Sequence, residues 1–335
     1  MEPTYDNFRA RDEVPTVEMF AISNISTLEV HPWERIGGLG SYVHLDGRGL
    51  SNSIVVEIPA GKELKEQHHF YEETVFIVSG TGRTELWNES GFQSAFNWEP
   101  GATFAIPLNV HFKHINRSAT EPVRMFSVTN MPLMMNLLHD TDLIFNFKYD
   151  FADRFGPEVT DFTRPALANA PGDLGGTFIG NLVPSAYDVP LPSAPSRGAN
   201  GGLLSLDLSN TSLGNHIAEF PSKTYKKAHR HGAGAHVILL TGNGYSLLWK
   251  GDYDEPTRVD WQPGAVMVPP EKWYHQHFNT GETAARYLAL RFGGGNHGIV
   301  PDYMDPRPSR DGGDQIEYED EDPRVKATFE AEISK

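Results

Sequence analysis

The C-terminal half of this 335-residue chain contains a group of histidines whose spacing suits a metal ion. His229 and His231 are separated by one residue, so on a β-strand both side chains point to the same face. His275 follows the turn PPEKWY on a later strand, and His277 shares its face. Three neutral imidazoles that converge in this way form an open site for Fe, Mn, Ni, Cu or Zn. The sequence therefore predicts a metal site made by His229, His231 and His275.

Four further residues are candidates for roles around this metal. His236, five residues after His231, could complete a four-histidine set, or strand alternation could turn it into the wall of the site, which we favour. Arg286 and Arg291 flank the strand YLAL, and one of them could face inward and bind a carboxylate through two hydrogen bonds. A surface position is an equally good interpretation for each arginine. We also count His277 among the catalytic candidates.

The histidine group lies in the second of two copies of one sequence pattern. Residues 54–130 match residues 217–293, with His69 aligned to His231 at an offset of 162 and Trp98 aligned to Trp261 at an offset of 163. Similarity at a nearly constant offset over this length indicates two copies of one structural unit.

Each copy consists of short apolar runs bounded by turn residues. VFIVSG, TELW, ATFAIP and MFSVTN in the first copy correspond to VILLTG, SLLW, AVMVPP and YLALRF in the second. Such runs predict β-strands, and the intervening GTG and GNG predict hairpin turns. Many evenly spaced short strands predict an all-β protein built from jelly-roll barrels.

The spacing resembles the cupin superfamily pattern, Gly-x5-His-x-His-x3/4-Glu-x6-Gly followed by Gly-x5-Pro-x-Gly-x2-His-x3-Asn. The second copy has Ala235 in place of the glutamate, Lys272 in place of the glycine before His275, and no glycine before the histidine pair. It matches the pattern at His229, His231, Gly242, Gly264, Pro270, His275 and Asn279. The resemblance implies a bicupin, in which two double-stranded β-helix barrels follow one another.

The first copy departs from the pattern at the metal ligands. It has Gln67 and Phe112 where the family has histidines, and it matches at Gly61, His69, Glu73, Gly80, Gly101, Pro107 and Asn116. We therefore expect the first barrel to bind metal weakly or not at all. The alternative is a second site made by His69, Glu73 and His114, with Gln67 as a further ligand.

The resemblance divides the chain into five regions. Short helices are expected in the linker and in the tail, where Asp322-Pro323 is a typical helix start. We interpret IEYEDEDP in the tail as a solvated loop, with an arm docked on the other domain or subunit as the alternative. The regions are an N-terminal arm (1–30), a first barrel with a degenerate metal site (31–135), an interdomain segment and linker (136–200), a second barrel with the metal site (201–300) and an acidic C-terminal tail (301–335).

The sequence HRHGAGAHVILLTG resembles that of gentisate-type ring-cleaving dioxygenases, in which three histidines hold Fe(II). This resemblance implies an Fe(II)-dependent dioxygenase that uses O2 on an aromatic or dicarbonyl-type organic acid. One alternative is a non-redox lyase, decarboxylase or isomerase that uses Mn, Ni or Zn as a Lewis acid. Another is a bicupin that binds a small molecule without catalysis.

The composition of the chain and its sequence patterns limit the kinds of partner that we expect. The net charge of −16 disfavours nucleic acid, and the absence of cysteine removes disulfides and thiolate metal sites. Neither a secretory signal pattern nor an apolar run of about 18 residues is present, so we expect a cytoplasmic protein without a membrane partner. The aromatic segment 143–155 and an apolar stripe in the tail helix favour a homo-oligomer.

Overall fold

Short β-strands are the main regular elements of the structure, a computed structural model that describes residues 4–45, 50–163, 166–169, 175–232, 234–251, 255–293 and 304–335. The strands form two jelly-roll barrels, which confirms the predicted all-β fold class. Among the described residues, no helix is long and apolar enough to cross a membrane. The α-helices are α1 (Thr4–Arg11), α2 (Met131–Leu138), α3 (Thr141–Asn146) and α4 (Pro323–Ile333).

The first barrel is built mainly from the first sequence copy. One of its sheets has the order β1-β4-β5-β11-β6-β9-β14, with β3 on β4, and the other has the order β10-β7-β8. Three strands from this part of the chain, β2, β12 and β13, belong to a sheet of the second barrel. The strands up to residue 183 are β1 (Thr16–Glu18), β2 (Ala21–Ile22), β3 (His31–Trp33), β4 (Gly38–His44), β5 (Asn52–Ile58), β6 (Glu73–Ser79), β7 (Gly82–Trp87), β8 (Gln93–Trp98), β9 (Thr103–Ile106), β10 (His111–Asn116), β11 (Val123–Thr129), β12 (Ala166–Asn169), β13 (Gly176–Gly180) and β14 (Leu182–Val183).

The second barrel repeats this arrangement. Its sheets have the orders β12-β13-β15-β16-β23-β18-β21-β2 and β17-β22-β19-β20. The strands of this half are β15 (Gly202–Leu208), β16 (Asn215–Phe220), β17 (Thr224–Tyr225), β18 (His236–Thr241), β19 (Gly244–Trp249), β20 (Thr257–Trp261), β21 (Val266–Met267), β22 (Tyr274–Asn279) and β23 (Ala285–Leu290).

The predicted hairpin turns lie between β6 and β7 and between β18 and β19. Gly80 and Gly242 have φ angles of 82° and 83°, a region that disfavours side chains with a Cβ. A Cβ on Gly80 would lie 2.6 Å from the Pro122 carbonyl oxygen. Glycine is therefore required at this turn for both its backbone conformation and its lack of a side chain.

The two barrels exchange edge strands. β2, which precedes the first barrel, pairs with β21 of the second, and β14, which precedes the second barrel, pairs with β9 of the first. The backbone N–H of Ile25 donates to Gly264 O at 2.8 Å, and that of Ala186 donates to Gly101 O at the same distance. Each barrel therefore completes its larger sheet with a strand from the segment that leads into the other barrel.

The exchange bears on the predicted domain boundaries. Regions 31–135 and 201–300 keep β3–β11 and β15–β23 together, while the two exchanged strands lie in the N-terminal arm and in the interdomain segment. The boundaries stay a prediction. The barrels also share one apolar core, which includes Phe76 and Phe126 from the first barrel and Ile238 and Leu288 from the second.

A buried carboxylate adds polar bonds to this interface. Glu72 of the first barrel is only 5% exposed and accepts hydrogen bonds from the backbone N–H of Ser212 in the second barrel at 3.0 and 3.1 Å. The Ser212 hydroxyl also donates to Glu72, as does Arg154 at 3.3 Å. Truncation of this side chain would leave buried donors without an acceptor.

We expect Glu72→Ala to lower the free energy of unfolding by about 2–3 kcal/mol, because hydrogen bonds to buried charged groups have about this value. Urea denaturation followed by circular dichroism measures the change. Glu63→Ala is the control, since Glu63 pairs with Lys113 at the surface and such pairs contribute less than about 1 kcal/mol. Equal stability of the two variants would contradict the role assigned to Glu72.

The C-terminal tail docks on the second barrel, which corrects both interpretations: it is not a free solvated loop, and within the chain it docks on the barrel that precedes it and not on the other domain. Ile316 N donates to Ala228 O at 2.9 Å, and α4 begins at the predicted helix start. Phe329 of α4 packs on Tyr225 and Phe278 of its own barrel. The apolar stripe is thus buried within the chain and needs no second subunit; homo-oligomerisation stays a prediction.

Candidate metal centre

The structure brings together the three predicted ligands His229, His231 and His275. Backbone bonds between His229 and His275, at 3.0 and 2.8 Å, hold the segment before β18 against the start of β22. One ring nitrogen from each of the three histidines lies within 4.8 Å of the others, and all three side chains are buried. This spacing allows all three imidazoles to bind one ion.

The protonation states of the three imidazoles also suit a metal. Burial lowers the pKa of His275 to about 3, with Arg197 and Lys226 adding to the effect, and burial lowers the pKa values of His229 and His231 well below their usual range. All three are therefore neutral at pH 7, as metal binding requires. His231 Nδ1 lies 2.7 Å from Gly232 O, so Nδ1 donates and the lone pair of Nε2 is left for the shared centre.

His277 lies beside this group, and a hydrogen-bonded chain holds its ring. Its ring centroid is 5.5 Å from that of His275. Ser246 Oγ accepts from Trp261 Nε1 at 3.0 Å and lies 2.7 Å from His277 Nδ1. These contacts fix the orientation of the His277 ring next to the three predicted ligands.

The first barrel repeats this arrangement. Thr84 Oγ1 accepts from Trp98 Nε1 at 2.9 Å and lies 2.8 Å from His114 Nδ1. Burial lowers the pKa of His114 to about 4, so this ring is also neutral. The duplication has therefore kept the hydrogen-bonded histidine in both barrels.

The first barrel does not bring a ligand set together. Gln67 and Phe112 exchange the same pair of backbone bonds as His229 and His275, at 2.9 and 2.8 Å, but their side chains cannot replace two imidazoles. His69 Nε2 lies 3.2 Å from Glu73 Oε2, within hydrogen-bonding distance of that carboxylate. Within the described part of the chain, the histidines of the second barrel are the only group of three or more candidate ligands.

The alternative four-histidine set does not form, because His236 faces away from the other three rings. Its Nδ1 lies 3.0 Å from Gly234 O, and its ring centroid is 6.2 Å from that of Phe126 in the first barrel. Strand alternation after Ala235 therefore places His236 at the interface between the barrels, which agrees with the favoured position outside the ligand set.

Arg286 is a structural residue, which corrects its candidacy for catalysis. Its Nε donates to Glu219 at 2.8 Å, and its Nη1 donates to Tyr187 O at 2.5 Å and to Val189 O at 3.1 Å. It therefore anchors the segment that follows the exchanged strand β14. Arg124, at the equivalent position of the first barrel, bonds Glu57 and the carbonyls of Ile25 and Leu28 in the same way.

Arg291 lies closer to the metal centre. Its Nε donates to Gly214 O, and its positive charge helps to lower the pKa of His231 after burial, the larger cause. Arg291 thus contributes charge to the site while its guanidinium also bonds to the backbone.

The sequence analysis missed two other cations in this barrel. Lys226 is only 2% exposed, and its Nζ lies 3.1 Å from the Tyr287 hydroxyl. Arg197 donates to Gln315 Oε1 at 3.2 Å, and burial, together with the charge of Arg291, lowers its pKa to about 10 against the opposing effect of Tyr287. The barrel interior is therefore strongly basic.

Comparisons with known proteins identify the fold. No protein-family model matches the chain, and no curated protein matches its sequence. Among solved structures, the Lactobacillus farciminis oxalate decarboxylase formate complex has a TM-score of 0.55 at 13% identity, covering 83% of this chain and 87% of that one. Bacillus subtilis oxalate decarboxylase, studied for its Mn(II) centres, has a TM-score of 0.53 at 12% identity, covering 83% and 78%.

A third solved structure, Momordica charantia 7S globulin, has a TM-score of 0.53 at 11% identity and covers 83% of this chain and 85% of that one. At these identities the likeness concerns the fold, which is the predicted two-barrel cupin fold. The enzymes among these neighbours are decarboxylases, and they do not support the resemblance to gentisate-type dioxygenases.

Proposed function

We propose that the chain is a metal-dependent bicupin enzyme that acts on a carboxylic acid without net oxidation, as a lyase or decarboxylase. The observation that carries this proposal is the group of three buried, neutral histidines inside a basic barrel. The likeness to oxalate decarboxylases supports the reaction class, because it concerns the same two-barrel fold.

The donor set fits a divalent ion. His229, His231 and His275 would hold it, and Mn is the first candidate because Mn(II) centres are named for one of the similar structures. Fe, Ni and Zn also accept imidazole ligands. When bound, such an ion supplies Lewis-acid stabilisation of negative charge on a substrate oxygen.

The other residues of the barrel would bind and orient the acid. Arg197 and Lys226 attract its negative charge, and the His277 ring next to His275 would hydrogen-bond to it. The docked tail lies against this group, since Gln315 pairs with His229 through a backbone bridge and also bonds Arg197. A substrate would therefore react close to several positive charges.

We expect the Mn(II)-loaded protein to release CO2 from a small carboxylic acid without consuming O2 in proportion. Oxalate and malonate are the first probes, with CO2 measured by mass spectrometry and O2 by an electrode in the same vessel. The matched control is protein carrying His231→Ala, which should release no CO2 because a metal ligand is missing.

One observation favours a second function. Ala235 is buried at the position that corresponds to Glu73 in the first barrel, so the ion would have three neutral ligands and an open position. This is the arrangement expected for an Fe(II) dioxygenase acting on an aromatic or dicarbonyl-type acid. Uptake of one O2 per molecule of gentisate by the Fe(II)-loaded protein, without CO2 release, would contradict the decarboxylase proposal and support the dioxygenase.

A further inference from the structure

Lys226 is a buried cation inside the second barrel. Its backbone N–H donates to His277 O at 3.0 Å, and its backbone oxygen accepts from Gln276 Nε2 at the same distance. This pairing places Lys226 directly opposite His277 on the neighbouring strand. Its ammonium nitrogen lies 5.2 Å from the centre of the Tyr287 ring and 5.8 Å from that of Phe220.

The neighbouring lysines all have carboxylate partners. Lys223 pairs with Glu282 at 2.8 Å, Lys227 pairs with Glu317, and Lys272 pairs with Asp314 at 3.4 Å. Among the described residues, no carboxylate oxygen lies within 4 Å of Lys226 Nζ, whose hydrogen-bond partner is the Tyr287 hydroxyl. A buried charge without a counter-charge is costly, and an anionic ligand beside it would lower that cost.

Arg197 adds to the excess of positive charge. Its hydrogen-bond partners among the described residues are Met304 Sδ and Gln315 Oε1, which are both uncharged, and its charge reaches His229, His275 and His277. With a divalent ion on the three histidines, this side of the barrel would carry several positive charges. A substrate with a single negative charge would leave most of them uncompensated.

We propose that Lys226 and the Tyr287 hydroxyl form a subsite for a second anionic group of the substrate, distal to the group that faces the three histidines. The substrate is then a diacid whose acid groups are separated by a spacer. His277 lies between the two ends, with its ring centroid 5.5 Å from that of His275 and 5.4 Å from that of Tyr287. This inference rests on the proposed function, because it names the substrate class of the same site.

Titration calorimetry on the Mn(II)-loaded protein tests the subsite. Succinate and glutarate are compared with butyrate, which has one carboxylate on a similar chain. We expect the better diacid to bind at least about tenfold more tightly than butyrate, since one buried charge-assisted hydrogen bond has about this effect. A phosphonate analogue of succinate forms a second arm, because an ammonium group pairs with either anion.

The decisive variant is Lys226→Met. A buried charge replaced by an apolar side chain of similar length is commonly neutral for stability, so this variant should fold. It should lose most of the preference for both diacids over butyrate, because only the diacids place a second anionic group beside Lys226. Lys223→Met, at the exposed lysine paired with Glu282, is the matched control and should bind like the wild type.

The outcomes separate the subsite from the proposed function. If the protein binds metal and releases CO2, but Lys226→Met keeps the full diacid preference or neither diacid is preferred, the subsite is wrong and the function stands. If the protein shows no metal-dependent turnover while diacid binding still depends on Lys226, the proposed reaction fails and the subsite stands.

Discussion

His275→Ala abolishes tight metal binding by the second barrel, with an expected loss of affinity above about 100-fold. His275 supplies one of three ligand nitrogens and also lies at the centre of the group, with its ring centroid 4.1 Å from that of His229 and 4.6 Å from that of His231. Loss of a residue that only orients a ligand costs about 10–100-fold in affinity, so loss of a ligand should cost more. Metal content after dialysis, measured by mass spectrometry, gives the result.

The matched control is His69→Ala, which removes the equivalent of His231 from the first barrel. We expect this variant to keep most of the metal, because His69 pairs with Glu73 and has no second imidazole from Gln67 or Phe112 beside it. The wild type should contain about one metal per chain. Two tightly bound ions per chain, or complete metal loss in His69→Ala, would show that the first barrel also holds a metal.

The second large effect is a loss of stability of the metal-free protein as pH falls below about 6.5. Burial lowers the pKa of eight histidines in the folded state, while the unfolded chain keeps ordinary values near 6.5. The unfolded state then binds more protons, so stability present above pH 6.5 is lost as pH falls towards the folded-state values. The eight are His68, His114, His216, His229, His231, His236, His275 and His277.

One of these residues isolates the effect from metal binding. His236 lies at the barrel interface, and burial lowers its pKa to about 4. At one pH unit below 6.5, this lowered pKa of His236 should reduce the free energy of unfolding by about 1.4 kcal/mol relative to its value above pH 6.5. Urea denaturation of His236→Leu between pH 7.5 and 5.5 should therefore show a shallower pH dependence than the wild type, whereas His31→Gln, at an exposed position, should not. An unchanged slope in His236→Leu would contradict this assignment.

Sequence spacing was sufficient for the features that depend on local geometry. His229 and His231 share a face because they are two residues apart, and the same alternation favoured His236 in the wall and not in the ligand set. The changes at Gln67 and Phe112 were visible because the first copy can be aligned with the second. These predictions needed only the period of a β-strand and the internal repeat.

The features that the sequence analysis missed depend on pairings between distant segments. Lys226 faces inward only because its segment aligns with His277, and nothing in the local pattern specifies that register. For Arg286 the sequence left an inward-facing and a surface position open, because its partners, the carbonyls of the segment near Tyr187, are distant in sequence. The tail was misjudged because its carboxylates, such as Asp314, find their partners on the second barrel about 84 residues away in sequence.

The exchanged strands determine the order in which parts of the chain can fold while the ribosome synthesises it. The first barrel can complete its larger sheet only after Leu182–Val183 has emerged, well beyond the last strand of its own copy. Ala21–Ile22 emerges early but has no pairing partner until Val266–Met267 is made. For most of translation, the nascent protein therefore carries an unpaired N-terminal strand, and the pairing of this strand must wait until much of the second barrel has been made.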